Sequence, residues 1–283
     1  MTALTTSPEL TARATPRWRD LLGAEWIKLW SLRSTSIVLV GTVLLAWYVA
    51  YDGAHQAYTT WPSFEEDFKR IFDPGHETLY PPAYLLLMTV AGVIGAQTMV
   101  GEHVNGLIRT TFIAVPARSR VVLAKAAVVT AVLAFTGLLV GVGSWAVAMA
   151  VYSDRITAFT WSTPGLPGLL AAVVITFPVS GLIGMAVGTL VRNGPATVFV
   201  LFVNFMIVPM GLLAPDDRVL HTGNLFEQMS NALPFSAFLQ LTHLGTGHIM
   251  GHHPSDTEAW IVLPAWSLAA CAVAVTALRH RDV

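Results

Sequence analysis

The chain has 283 residues, of which 54% are hydrophobic and 12% are charged, and its net charge is −1. Soluble domains carry about 25% charged residues, so a soluble protein of this composition could not cover its surface with polar groups. The near-zero net charge gives no basis for expecting a nucleic-acid partner, and a single cysteine excludes a disulfide within the chain. The composition therefore predicts a protein whose solvent is the lipid bilayer.

The region before the first long apolar run divides into two parts. We expect residues 1–16 to form a flexible N-terminus and residues 17–33 to form an amphipathic helix. The predicted apolar face carries Trp18, Leu21, Leu22, Trp26, Leu29 and Trp30, and the polar remainder carries Arg19, Asp20, Glu25 and Lys28. Because tryptophan favours the membrane–water boundary, the pattern predicts an interface helix. Simple anchoring and contact with a partner are both compatible with it.

Six apolar runs follow, and each has a length that can cross the bilayer as a helix. They occupy residues of about 34–52, 83–100, 121–151, 169–191, 196–214 and 259–278. The runs are continuously apolar and lack the alternation of a barrel strand, so the need to satisfy the backbone in lipid favours helices. We therefore predict an all-α integral membrane protein in which residues 34–283 form a transmembrane domain of six helices.

The distribution of cations predicts the orientation of these spans. In a six-span arrangement, twelve of the 16 lysines and arginines lie on the side that holds both termini. Cytoplasmic loops are enriched in Lys and Arg, so we expect both termini in the cytoplasm. Each of the two long outer loops is predicted to contain a short helix. One lies within "FEEDFKRIF", and the other covers Leu233–Leu244, before the last span, at the interface or as a re-entrant segment.

The sequence contains none of the short motifs that carry nucleotide hydrolysis or metal catalysis. It has no G-x-x-x-x-G-K-[ST], H-E-x-x-H or C-x-x-C pattern, so we expect a chain that is not an enzyme and holds no cofactor. We also expect no metal site. The nearest candidate is the outer group of His248, His252 and His253, whose spacing could ligate a metal.

Two features inside the spans have a structural interpretation. Lys125 lies near the start of the third span, at its predicted cytoplasmic end, and we expect its side chain to extend to the interface. Gly184 and Gly188 are four residues apart in the fourth span, which predicts close helix packing. That packing could lie within the chain or at the seam of a dimer.

Two segments resemble a known family. "GAEWIKLWSLRSTSIVLV" (Gly23–Val40) is similar to the S-E-W-x-K-L-x-S-x-R-S-T pattern at the start of the first span in actinobacterial ABC-2 type transporter permeases. Ile94–Val129 is similar to that family's G-E-x-x-x-G-x-x-R-x-x-x-x-x-x-P-x-R-x-x-x-x-x-A-K segment. The matching positions are Gly101, Glu102, Gly106, Arg109, Pro116, Arg118, Ala124 and Lys125. His103 and Asn105 depart from the family, which often has tyrosine and serine or threonine there.

The resemblance implies the permease subunit of an ATP-binding cassette exporter in a bacterial plasma membrane. Two six-span subunits, identical or paralogous, would pair within the lipid, and each would dock a separate ATPase subunit that binds ATP and Mg²⁺. In that family the docking elements correspond to residues 17–33 and 101–120 of this chain. The residues assigned to the ATPase contact by the resemblance are Glu25, Trp26, Lys28, Glu102, Asn105, Gly106, Arg109 and Arg118.

The residues of the second docking element agree with such a role. Glu102 is expected in the first turn of a short helix, where a carboxylate complements the helix dipole, and Pro116 is expected to end that helix before the third span. A solvated, positively charged loop is the alternative for this stretch.

Two other functions remain open. A secondary carrier would work without an ATPase, but such carriers normally hold ionisable residues inside their spans, and these are nearly absent here. A membrane anchor or metal-handling protein would use the outer histidines. For a permease, the apolar spans favour hydrophobic or amphipathic cargo, such as a drug, a lipid or a peptide antibiotic.

Overall fold

The computed structural model describes residues 17–73, 75, 78–104, 118–152, 160–213, 224–243 and 254–280. Within these ranges the chain is helical and contains no strand. The helices are α1 (Trp18–Ser31), α2 (Arg33–Thr60), α3 (Glu66–Ile71), α4 (Pro81–Val104), α5 (Arg118–Tyr152), α6 (Leu166–Val191), α7 (Gly194–Phe202), α8 (Val208–Leu213), α9 (Asn224–Asn231), α10 (Pro234–Thr242) and α11 (Asp256–His280). A π-helical segment, Val203–Ile207, joins α7 to α8.

Six of the described helices are long and apolar enough to cross a membrane, which confirms the predicted helical class and number of spans. They are α2, α4, α5, α6, the joined α7–α8 helix and α11. Most extend beyond the apolar runs seen in the sequence. The largest extension is that of α2, which continues to Thr60 through a polar turn in which the Gln56 amide donates to the Asp52 carboxylate at 2.7 Å.

The centre of the bundle is α6, which packs against α4, α5 and α11. Its contact with α4 uses glycine on both helices. A Cβ atom on Gly184 would lie 1.8 Å from the carbonyl oxygen of Gly92, and one on Gly95 would lie 1.9 Å from that of Gly181. The two backbones therefore touch. The close packing predicted from the glycine spacing occurs, and it lies within the chain.

The helix α2 lies at the periphery and packs mainly against α5. The indole N–H of Trp47 donates to the carbonyl oxygen of Leu139 at 3.0 Å. This approach requires glycine at position 143, where a Cβ atom would lie 2.0 Å from the indole nitrogen. Many other apolar side chains of α2 point away from the bundle and are exposed, as expected for a helix in contact with lipid.

The N-terminal helix α1 packs on the start of α5, and the side of α1 that makes the contact only partly matches the predicted apolar face. Its buried residues are Leu21, Glu25 and Leu29, which are spaced four residues apart, whereas Trp26 is 48% exposed. Leu21 and Leu29 belong to the predicted apolar face, but Glu25, which is expected on the polar remainder of the helix, is buried between them. An amphipathic pattern assigns carboxylates to water, but here a lysine of α5 provides a buried partner.

We refer to the end of the bundle that holds α1, the last turn of α4 and the first turns of α5 as the α1 end. At the opposite end, α10 packs against α6 and α11. The Tyr84 ring of α4 stacks on Phe238 of α10, with 3.8 Å between ring centroids. Beside it, His243 Nδ1 lies 2.7 Å from Asp73 Oδ2, which joins the segment after α3 to the residue that follows α10.

Candidate functional site

Four charged side chains from three helices meet at the α1 end. Lys28 Nζ lies 2.7 Å from Glu25 Oε1 and 2.8 Å from Glu102 Oε1. Lys125 Nζ lies 3.1 Å from Glu102 Oε1 and also contacts Glu25 Oε2. Each lysine therefore bridges both glutamates, and the four ion pairs close into a ring. We call this group the charge ring.

Local sequence explains how α1 carries its half of the ring. Glu25 and Lys28 are three residues apart, so their side chains are neighbours on the helix surface. Leu21 packs with Val121 and Ala124 of α5, and Leu29 is buried in the main core. These two leucines, one turn before and one turn after Glu25, hold its carboxylate against α5.

The other half of the ring comes from the helix ends on either side of residues 105–117. Glu102 is in the last turn of α4, and Lys125 is in the second or third turn of α5. The prediction that Glu102 starts a short helix is wrong, because α4 continues without a break to Val104. A carboxylate at a helix C-terminus opposes the dipole, so Glu102 depends on the two lysines rather than on its helix for stabilisation.

Burial makes the ring energetically demanding. Glu25, Glu102 and Lys125 are only 5%, 8% and 4% exposed, and the Lys28 side chain is 40% exposed. Buried charges are tolerated only when they are paired, and this ring has two charges of each sign. Partial burial by itself would lower the pKa of Lys28, but its hydrogen bonds to Glu102 and Glu25 outweigh that effect and raise the pKa above its usual value.

The ring borders a cavity of about 160 Å³ between α1, α2, α4 and α5. Apolar walls come from Ile94, Val128 and Val129, and the Gln97 amide and Thr35 hydroxyl add polar groups. Because charged groups form one end of this cavity, water is its expected content. The arrangement is suited to holding α1 at a fixed position on α4 and α5, and it contains no nucleophile paired with a base.

The structure brings three of the predicted contact residues together, namely Glu25, Lys28 and Glu102. Trp26 is outside the ring and packs against Trp30, with 5.6 Å between ring centroids. Four further predicted positions cannot be placed from side-chain geometry: Asn105, Gly106 and Arg109 lie outside the described residues, and Arg118 begins α5 with a side chain that is not described.

Sequence reasoning missed the role of Lys125. Its predicted extension to the interface is wrong, since the side chain is buried against two carboxylates. A signal was present in the sequence. The two segments similar to the permease family each contain one glutamate and one lysine at matched positions, which is the set of charges needed for a neutral cluster.

The outer histidine candidate is also not tested by geometry. His248, His252 and His253 lie outside the described residues. Within the described part of the chain, no group of three His, Cys, Asp or Glu side chains could hold a metal ion.

Comparison with known proteins adds no identification: no family model matches the sequence, and no curated protein matches it.

Proposed function

We propose that this chain is the membrane-spanning permease subunit of an ATP-binding cassette exporter. In this proposal both termini are cytoplasmic, the α1 end faces the cytoplasm of a bacterial cell, and a separate ATPase subunit docks there. A second permease subunit, identical or paralogous, completes the pathway. ATP and Mg²⁺ bind to the ATPase, and the present chain carries no catalytic residue.

One observation carries the proposal. The two segments whose sequences resemble permeases of that family, Gly23–Val40 and Ile94–Val129, overlap the two proposed docking elements and are joined by the charge ring. Glu25 and Lys28 come from the first segment, and Glu102 and Lys125 come from the second. A docking surface made from two distant segments requires that the segments keep a fixed relative position, and four mutually bridging ion pairs supply that constraint.

The geometry also supports a route for mechanical coupling. Residues 105–117 connect the last turn of α4 to the first turn of α5, so a force on them acts on both helices. The ring makes α1 move with these helix ends, and the glycine contact makes α6 follow α4. Packed helices with such contacts move as bodies rather than deforming, which is the behaviour that alternating access requires.

The cargo is proposed to be hydrophobic or amphipathic. The described parts of α2, α6 and the α7–α8 helix place apolar side chains along most of their length, and the buried charges of the ring are neutralised at one end of the bundle. A secondary carrier is less well supported, because the ring is closed on itself at a helix end rather than placed along a path at mid-membrane.

The proposal is tested by copurification. The chain is purified with an ATPase subunit encoded beside it, and the ATPase-to-permease ratio is measured for wild type, Arg109→Glu and Glu66→Lys. Arg109→Glu reverses a charge in the proposed docking segment and is expected to lower the ratio. Glu66 has an 80% exposed side chain on α3, at the end away from the ring, so Glu66→Lys is the matched control and should keep the wild-type ratio.

Two results would contradict the proposal. One is a chain that transports cargo in vesicles without any ATPase. The other is an equal ratio for all three proteins, which would mean that the segment containing Arg109 makes no contact with an ATPase. Glu102→Lys is not used for this purpose, because it would place three ammonium groups together inside the ring and would test the fold rather than docking.

A further inference from the structure

An apolar groove lies on the outside of the bundle between α2 and α5, and α1 closes it at one end. Its volume is about 510 Å³. Leu39, Val43 and Trp47 form the wall on α2, and Ala131, Phe135 and Leu139 form the wall on α5. In both sets the residues are four apart, so each wall is a single face of its helix.

The walls on α2 and α5 offer no free polar side-chain group to a ligand. Their one hydroxyl group belongs to Thr136 and donates to the carbonyl oxygen of Val132 at 2.9 Å, within the same helix. The indole N–H of Trp47 is also engaged, by Leu139. The groove is therefore a surface for hydrocarbon.

The dimensions of the groove fit one leaflet of a bilayer. Leu39 to Trp47 spans eight residues, or about 12 Å of helix at 1.5 Å per residue. Half of the hydrocarbon core is about 15 Å thick. Trp26 and Trp30 of α1 close the end of the groove at the place where a leaflet would meet its headgroups, and tryptophan is enriched at that depth.

Two exposed cations, one on α1 and one at the start of α2, indicate the headgroup. Arg19 shares a face of α1 with Trp26 and Trp30, being seven and eleven residues away, and Arg33 begins α2. Both arginines are exposed, and neither has an ion-pair partner among the described residues. A guanidinium group binds phosphate through paired hydrogen bonds.

From this arrangement we propose that the groove is a binding site for one anionic phospholipid of the leaflet at the α1 end. An acyl chain lies between α2 and α5, the two indoles pack at the level of the ester groups, and the phosphate binds Arg33 at the start of α2. Arg19, near the other end of α1, adds positive charge on the helix face that carries the two indoles. A second copy of the chain fits this face less well. In a two-fold dimer the same surface of both chains meets, so the Arg19 and Arg33 side chains of the two copies would approach and repel one another.

Native mass spectrometry of the detergent-purified protein tests the site. Phosphatidylglycerol or phosphatidylcholine with identical acyl chains is added, and the lipid retained after a detergent wash is counted. Wild type is expected to retain one phosphatidylglycerol per chain and about tenfold less phosphatidylcholine. Ala131→Phe fills the α5 wall of the groove and should lose the retained lipid, and Val40→Trp, which fills it from the exposed side of α2, should do the same.

The controls separate the contribution of the lipid's acyl chain from that of its headgroup. Ala146→Phe makes the same change at an exposed site on α5 that is four turns from Ala131 and outside the groove, and it should retain lipid as wild type does. Arg19→Gln combined with Arg33→Gln should abolish the preference for phosphatidylglycerol and leave phosphatidylcholine binding unchanged. Wild-type retention by both groove-filling variants would overturn the proposal. A second result would also overturn it: the wild-type protein retains no lipid and forms a dimer, and Ala131→Phe breaks that dimer. The groove would then be a subunit interface.

Discussion

Lys125 and Glu102 lie 23 residues apart in the sequence and form a buried ion pair, with 3.1 Å between Nζ and Oε1. The pair joins the end of one long helix to the start of the next, and Glu25 and Lys28 of α1 close it into a ring. This relationship fixes the position of an otherwise peripheral N-terminal helix. It also makes the stability of the α1 end depend on a balance of charge, which leads to the first two predictions.

Replacing Lys125 by methionine should strongly destabilise the protein. Lys28 alone would then neutralise two buried carboxylates, and removing one partner of a buried ion pair costs about 3–5 kcal/mol. The melting temperature of the detergent-purified protein, followed by the loss of its monodisperse elution peak, should fall clearly. Lys69→Met is the matched control. Lys69 pairs with the exposed carboxylate of Glu66, and such surface pairs contribute about 0–1 kcal/mol.

Restoring neutrality should recover part of the lost stability. In Lys125→Met combined with Glu102→Gln, one charge of each sign is absent, and Lys28 still pairs with Glu25. The double variant is expected to melt at a higher temperature than Lys125→Met alone. If the two sites were independent, their losses of stability would add and the double variant would melt at a lower temperature. A double variant that melts below both single variants would show that the ring is not a coupled unit.

Position 184 should not tolerate a substitution of glycine even by alanine. The added Cβ atom would lie 1.8 Å from the carbonyl oxygen of Gly92, which is backbone and cannot move alone, so α4 and α6 would have to separate. Overpacking of this kind costs about 1–3 kcal/mol or more, and the variant should give a lower melting temperature and a lower yield of folded protein.

The control for this prediction is Gly41→Ala in α2. A Cβ atom there meets nothing within 4 Å, and alanine has the higher helix propensity. This variant should melt at the wild-type temperature or slightly above it. Equal melting of Gly184→Ala and Gly41→Ala would contradict the close backbone contact between α4 and α6.

The proposed orientation makes a direct prediction about chemical labelling. In a Cys271→Ser background, single cysteines at Glu66 and Asp256 should react with an impermeant thiol reagent in intact cells, since both positions are exposed and on the proposed outer side. A cysteine at Ala117 should react only after the cells are opened. Labelling of the cysteine at position 117 from outside would show that the termini are not cytoplasmic or that the chain does not have six spans.

The helical class of this protein and the places of its long helices follow from its residue pattern alone. Continuous apolar runs with little charge leave helices as the structure that satisfies the backbone in lipid, and they mark the spans within a few residues at most ends. The first predicted span ends at about residue 52, but α2 continues to Thr60, because a polar helix outside lipid leaves no hydropathy signal. The spacing of Gly184 and Gly188 likewise predicted close packing, since only small residues let two helix backbones approach.

The partners of the charged residues, in contrast, depend on how distant helices pack together. Glu25 and Lys125 are 100 residues apart, so no local pattern brings them together, and each taken alone is most simply assigned to water or to the interface. Glu102 was likewise assigned to the start of a helix, and it lies at the end of one. Helical periodicity gives the side of a helix on which a residue lies. Whether that side meets solvent or a buried charge of opposite sign is fixed by packing among helices that are distant in the chain, and this is why the charge ring emerged from the structure alone.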